Sequence, residues 1–170
     1  GTPSDVFNHP ATLFVAAFIG SPSMNLLAAV FVDDGGAGHL QGPGFNLPAP
    51  DWLSSQLTQA AQPLTVGVRP QALHLATDNA ALAIHADVVE YLGNEELLHV
   101  NAAEQDIVAI VNSSHRVKTD DIVDLQVHLS KLHLFDAETG AALTSGPIEP
   151  PAVVSTAAAA PAAVAAELTA

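Results

Sequence analysis

Eight histidines are the residues best equipped for chemistry in this 170-residue chain: His9, His39, His74, His85, His99, His115, His128 and His133. Imidazole nitrogens hold zinc when spacing puts them on one face. Here the spacing argues against it. No two histidines sit four apart on a helix, and no H-E-x-x-H occurs. His128 and His133 fall on different predicted strands. His85 and His99 flank one predicted hairpin, where they could meet as cross-strand neighbours. Surface histidines are the plainer reading. Ser113 and Ser114 lie beside His115, which suggests a nucleophile and its base. Adjacent residues of an extended chain point to opposite faces, so Ser114 does not readily use His115. The acid pairs Asp33-Asp34, Glu95-Glu96 and Asp120-Asp121 all fall in or near predicted turns and read as solvated carboxylates. Gly36, Gly38 and Gly42 miss the dinucleotide spacing, and no glycine precedes a lysine, so no phosphate-cradling loop is encoded. No active site is expected in this chain.

The charge balance narrows the partners. The formal net charge is -14, and Arg69, Arg116, Lys118 and Lys131 are the fixed cations. Such a chain is repelled by phosphate backbones, so no nucleic-acid partner is expected. There is no cysteine, which excludes disulfides and thiolate metal sites. The apolar run Leu13 to Gly20 is too short to span a bilayer. Residues 1–20 contain no Lys or Arg, the cationic start a signal peptide needs. A junction between two folded pieces is the remaining reading of the break at Gly20-Ser21-Pro22.

The elements follow from periodicity. Two short helical pieces precede Gly20. Ser4 or Asp5 is expected to cap the first, and Thr12 the second, with Leu13, Phe14, Ala17 and Phe18 on one side. That lead-in cannot bury its Phe residues alone and must dock on something. From Met24 the pattern turns to strands: Leu26–Val32, a small hairpin around Gly42-Pro43-Gly44, and Leu64–Arg69 held extended by Pro70. Asp33 to Gly36 reads as a turn, and Asp51–Ala61 as the one helical insert. Further strands are expected over Leu82–Val89, Glu95–Val100, Ile107–Val111, Ile122–Leu129 and Leu132–Phe135, with a tight turn at Gly93-Asn94. Arg69 is expected to pair with a carboxylate. Residues 146–170 are rich in Pro and Ala and read as a flexible tail. Many short strands with Gly and Pro turns imply a mainly β fold, an OB-like barrel.

The opening stretch GTPSDVFNHPATLFVAAFIGSPSMNLL resembles the segment closing the ATPase domain in maltose- and glycerol-3-phosphate-type ABC importer ATP-binding subunits. VGVRPQALHLA resembles the family's strand followed by Arg-Pro-Glu, with Gln71 in place of Glu. VVEYLGNEELLHV resembles its Leu-Gly hairpin, and LHLFDAETGAAL its closing strand. Four motifs in order, over about Gly1 to Leu143, make the resemblance specific. It implies three regions. Residues 1–20 would be the C-terminal edge of an ATPase domain, 21–145 the regulatory OB-type or TOBE domain, and 146–170 the tail. Gly20, Ser21, Pro22, Met24, Asn25, Arg69, Pro70, Gly93 and Asn94 would be seam or structural positions.

The resemblance further implies a homodimer, membrane permeases reached through the ATPase domain, and inhibitory proteins or metabolites as regulators. It implies a peripheral place at the cytoplasmic face of a bacterial inner membrane. ATP and Mg would belong to the family's ATPase domain, whose catalytic motifs this chain lacks. An alternative is a small-ligand or oxyanion-binding TOBE module, which the scarcity of cations disfavours.

Overall fold

The computed structural model describes residues 2–33, 38–53, 57, 61–76, 82–102 and 105–143. Two short helices open the chain. Helix α1 (Pro3–Asn8) is capped by Thr2 rather than by Ser4 or Asp5. Thr2 Oγ1 accepts from the Asp5 N–H at 3.2 Å, and Asp5 Oδ2 accepts from the Thr2 N–H at 2.9 Å. This reciprocal box satisfies two end donors at once. It also holds the Asp5 carboxyl below its ordinary range, through the hydrogen bonds from Thr2. Helix α2 (Leu13–Phe18) starts at Thr12, whose Oγ1 accepts from the Val15 N–H at 3.3 Å. Thr12→Ala should weaken α2 by about 1 kcal/mol. Faster hydrogen exchange at Val15 checks this; unchanged exchange would count against the cap.

The Phe residues that the lead-in was not expected to bury on its own stay on the outer side of α2. Ala16 is fully buried and Leu13 half-buried, whereas Phe14 and Phe18 are each 76% exposed. Their rings stack at 6.2 Å on the outer side. Gly20 follows the helix with φ of 127°, a conformation glycine tolerates. The Ser21-Pro22 peptide bond is cis.

Among the described residues, eleven strands form two sheets. The first contains β1 (Asn25–Asp33), β2 (Gly38–Gly42), β3 (Phe45–Pro48), β4 (Gln62–Val68), β10 (Leu132–Asp136) and β11 (Ala142–Leu143), in the order β11-β10-β4-β1-β2-β3. The second contains β5 (Leu73–Leu75), β6 (Leu82–Tyr91), β7 (Glu95–Ala102), β8 (Gln105–Asn112) and β9 (Ile122–Val127), in the order β5-β9-β6-β7-β8. Every ladder among the described residues is antiparallel.

Alternation drives this arrangement. Along β1, Leu27, Ala29 and Phe31 are buried while Ala28 and Val30 are exposed. Along β8, Ile107, Ala109 and Val111 are buried. A strand turns every second side chain to one face, so both sheets offer an apolar face to a shared core. Leu40, Leu64, Leu98 and Leu125 lie in it with essentially no exposure. Burying each such leucine contributes about 2 kcal/mol.

The first sheet also uses its opposite face. Met24, Phe135 and Ala16 form a second small cluster there, which seats α2. Gly67 of β4 makes room for it. A Cβ at Gly67 would lie 2.5 Å from Met24 Sδ and 3.0 Å from the Phe135 ring.

The OB-type character holds, but the described strands leave both sheets open rather than closing one cylinder. Strand β9 ends at Val127, and Leu129–Lys131 is a 3-10 turn instead of a strand continuation. Residues 51–53 form a turn, while most of the expected helix over Asp51–Ala61 lies outside the described residues. So do Asp34 to Gly36 and the tail over 146–170. No helix among the described residues is long and apolar enough to cross a membrane.

Candidate functional site at the domain seam

Arg69 follows β4 in extended conformation, because Pro70 disfavours a helical turn before it. Only 6% of Arg69 is exposed. Its partners are not carboxylates, as expected from sequence, but backbone carbonyls. Nη2 donates to the Phe7 carbonyl at 2.7 Å, and Nη1 donates to the Ile19 carbonyl through a short hydrogen bond. The guanidinium carbon also lies 4.0 Å from the centroid of the Phe7 ring. One side chain therefore clasps the end of α1, the end of α2 and the end of β4. Gly20 lets it approach: a Cβ there would lie 3.0 Å from Arg69 Nη1 and 3.1 Å from the Pro22 carbonyl. Burial pushes the Arg69 pKa down from its ordinary value.

Asn25 makes the second connection. It is 6% exposed at the start of β1. Its Nδ2 donates to the Val108 carbonyl at 2.8 Å, and its Oδ1 accepts from the Val108 N–H at 2.8 Å. Strand β8 is the edge of the second sheet. The Asn25 amide thus stands where a neighbouring strand's peptide would, and covers that edge. Gln105 Oε1 of β8 accepts from the Ala28 N–H at 3.2 Å, a second stitch between β1 and β8. The two sheets are joined at this corner by side-chain amides, not by a backbone ladder.

Of the singled-out positions, Gly20, Ser21, Pro22, Met24, Asn25, Arg69 and Pro70 occupy the seam and the strand ends beside it. Gly93 and Asn94 do not. They form the tip of the β6–β7 hairpin in the second sheet, where the Leu92 N–H bonds the Glu95 carbonyl at 2.8 Å. Gly93 has φ of 90° with open space around it, so backbone conformation alone asks for glycine.

Three sequence expectations change. His85 and His99 are not cross-strand partners: His85 opposes Asn101, and His99 opposes Val88. A β-bulge between Ala86 and Val88 shifts the register. His99 Nε2 instead meets Glu90 Oε1 at 2.9 Å on the surface, an exposed pair worth little. Ser113–His115 is a 3-10 turn rather than an extended stretch, and the Ser114 N–H donates to Asn112 Oδ1. Glu96 is not solvated: it is 3% exposed, and its Oε2 accepts from the Val117 N–H at 3.2 Å. Among the described residues, no group of three His, Cys, Asp or Glu is placed to hold a metal ion.

A cleft of about 1030 Å³ opens beside the seam, between the end of α1 and the strand ends of β4, β5 and β10. His133 of β10 lines it. Burial first, then the charges of Arg69, His9 and Lys131, push its pKa from 6.5 down to about 4. The folded protein therefore favours neutral His133. That stabilisation is fully present above pH 6.5, and it is lost as pH falls towards about 4. After allowance for solvent screening, His133 should cost about 1–2 kcal/mol of stability across that window. Urea unfolding at pH 7 and at pH 4 checks this. His133→Gln should flatten the dependence; an identical slope in both proteins would contradict it.

Comparison with known proteins gives these residues a setting. The family model of the MalK OB fold domain matches residues 20–73, and that of the TOBE domain matches residues 66–135. The sn-glycerol-3-phosphate import ATP-binding protein UgpC of Chromobacterium violaceum is 36% identical over 140 residues, covering 82% of this chain and 37% of that protein. UgpC of Escherichia coli K12 is 37% identical over 142 residues, covering 82% of this chain and 38% of that protein. The chain thus spans little more than a third of the length of these relatives. A solved structure of the cytoplasmic molybdate-binding protein ModG aligns with a TM-score of 0.49 at 13% identity, over 65% of this chain and 94% of that one. The two family matches begin at the seam and run without a gap into β10, with Arg69 and Pro70 where they overlap. This chain belongs to the family of MalK-type OB-fold and TOBE domains, which mark the regulatory region of sugar ABC importer ATP-binding subunits.

Proposed function

We propose that this chain is the C-terminal regulatory and dimerisation part of the ATP-binding subunit of an ABC importer for sugars or polyol phosphates. The observation that carries the reading is the unbroken run of both domain matches over residues 20–135, in a chain similar to importer ATP-binding proteins. In this reading residues 1–20 are the last edge of the ATPase domain, and the β region from residue 21 is the regulatory domain. The stacked Phe14 and Phe18, exposed on the outer side of α2, face the ATPase body.

The seam suits such a role mechanically. Arg69 ties both helices to β4, and Asn25 ties the next strand to the second sheet. A displacement of the ATPase edge is then passed to both sheets rather than absorbed in a loose linker. ATP and Mg belong to the ATPase domain, and this chain alone hydrolyses nothing. The regulatory domains of two subunits hold each other, and permeases are reached through the ATPase domains at the cytoplasmic face of the inner membrane. Deleting residues 21–170 from the full subunit tests the reading. Dimerisation and transport control should both fail; if both persist unchanged, the reading is wrong.

A further inference from the structure

The cleft beside the seam has a composition that the rest of the chain does not. The protein carries a net charge of -14. Yet no described residue lining this cleft is Asp or Glu. Two of the four fixed cations, Arg69 and Lys131, line it instead, together with His9, His74, His128 and His133. Sequence separation hid this. These residues come from the end of α1, the end of β4, β5, the 3-10 turn after β9, and β10.

Arg69 is the telling member. Its hydrogen bonds go to neutral carbonyls, and no described carboxylate pairs with it. Its Nε is buried with no acceptor. A buried cation is costly unless a counter-charge compensates it. Lys131 is exposed on the cleft rim and forms no ion pair with any described carboxylate. The positive field inside the cleft is also felt by His133, which Arg69, His9 and Lys131 all oppose in its charged form.

We propose that this cleft binds an organic phosphate monoester. The class follows from donors and shape. Arg69 gives one N–H of each Nη to a carbonyl and buries its Nε, so what it contributes to the cleft is its charge. The remaining donors are separate points, Lys131 Nζ and the imidazoles, which suit a tetrahedral anion with several acceptor oxygens. A volume of about 1030 Å³ is far larger than a bare anion needs, and it sits at the upper end of small-molecule sites. Trp52 and Leu134 add apolar wall for an organic group. This inference goes beyond the importer reading and does not depend on it. A failed ligand titration leaves the regulatory and dimerisation role standing, and a failed deletion test leaves the cleft standing.

Trp52 is the single tryptophan of the chain and lines the cleft, so its fluorescence reports occupancy. The probe is phenyl phosphate, titrated into the whole chain at constant ionic strength. A saturable change is expected, competed by inorganic phosphate and absent with the neutral analogue benzyl alcohol. Lys131→Glu should weaken binding at least about tenfold. Lys118→Glu, the same charge reversal outside the cleft lining, should leave it unchanged while both variants keep the parent's melting temperature. Absence of a saturable response would overturn the proposal. So would equal binding of benzyl alcohol, or an equal effect of the two charge reversals.

Discussion

Arg69→Ala should release both N-terminal helices and lower stability by about 2–4 kcal/mol. Two charge-assisted hydrogen bonds to the Phe7 and Ile19 carbonyls are lost, each worth about 1.5–3 kcal/mol. The contact over the Phe7 ring goes too. Relief of an uncompensated buried charge offsets part of this loss, which keeps the total below the plain sum. Arg69→Lys should not rescue. A lysine offers one ammonium on a flexible stem and cannot span two carbonyls in a fixed fork. The diagnostic readout is hydrogen exchange at the Val6 and Ile19 amides, which donate to the Thr2 and Val15 carbonyls inside the two helices. Both should exchange faster in the alanine variant. Undiminished protection there would show that packing, not the arginine, holds the lead-in.

Asn25→Leu should cost a similar amount, about 2–4 kcal/mol, by another route. The leucine fills the space but leaves the Val108 N–H and carbonyl without partners in a part-buried corner. An unsatisfied buried backbone group costs about 1–3 kcal/mol. Asn25→Asp should be no better. It keeps an acceptor for the Val108 N–H, but loses the donor and places a charge where only 6% of the residue is exposed. Urea unfolding measures both variants. A loss under about 1 kcal/mol in Asn25→Leu would mean that the shared apolar core, not the amide, joins the sheets.

The strands were the legible part of the sequence. Runs of branched and apolar residues marked β1 and β8, alternation marked β6 and β9, and the glycines of Gly42-Pro43-Gly44 and Gly93-Asn94 marked two hairpins, because period and turn chemistry are local properties. What escaped was set by contacts across the chain. Arg69 finds its carbonyls 50 and 62 residues away, and Asn25 finds Val108 83 residues away. No local pattern separates an arginine bound for a carbonyl from one bound for a carboxylate. The His85–His99 pairing failed on the register of the hairpin: Tyr91 opposes Glu96, which puts His99 opposite Val88, three residues beyond His85. On α2 the apolar residues ran round most of the helix, so periodicity did not choose between Ala16 and the Phe14–Phe18 side. A polar residue opening an apolar strand, as Asn25 does, was the one available hint of the corner. The cleft had no sequence signature, because its cations come from separate segments.

The claim that this region carries its own association surface is the most direct point of attack. Multi-angle light scattering of the whole chain over a dilution series addresses it without any other subunit. The account predicts a species of about twice 17.4 kDa that persists on dilution before dissociating in one step. A mass of 17.4 kDa at every concentration would contradict it, and would assign dimer formation to residues outside this chain.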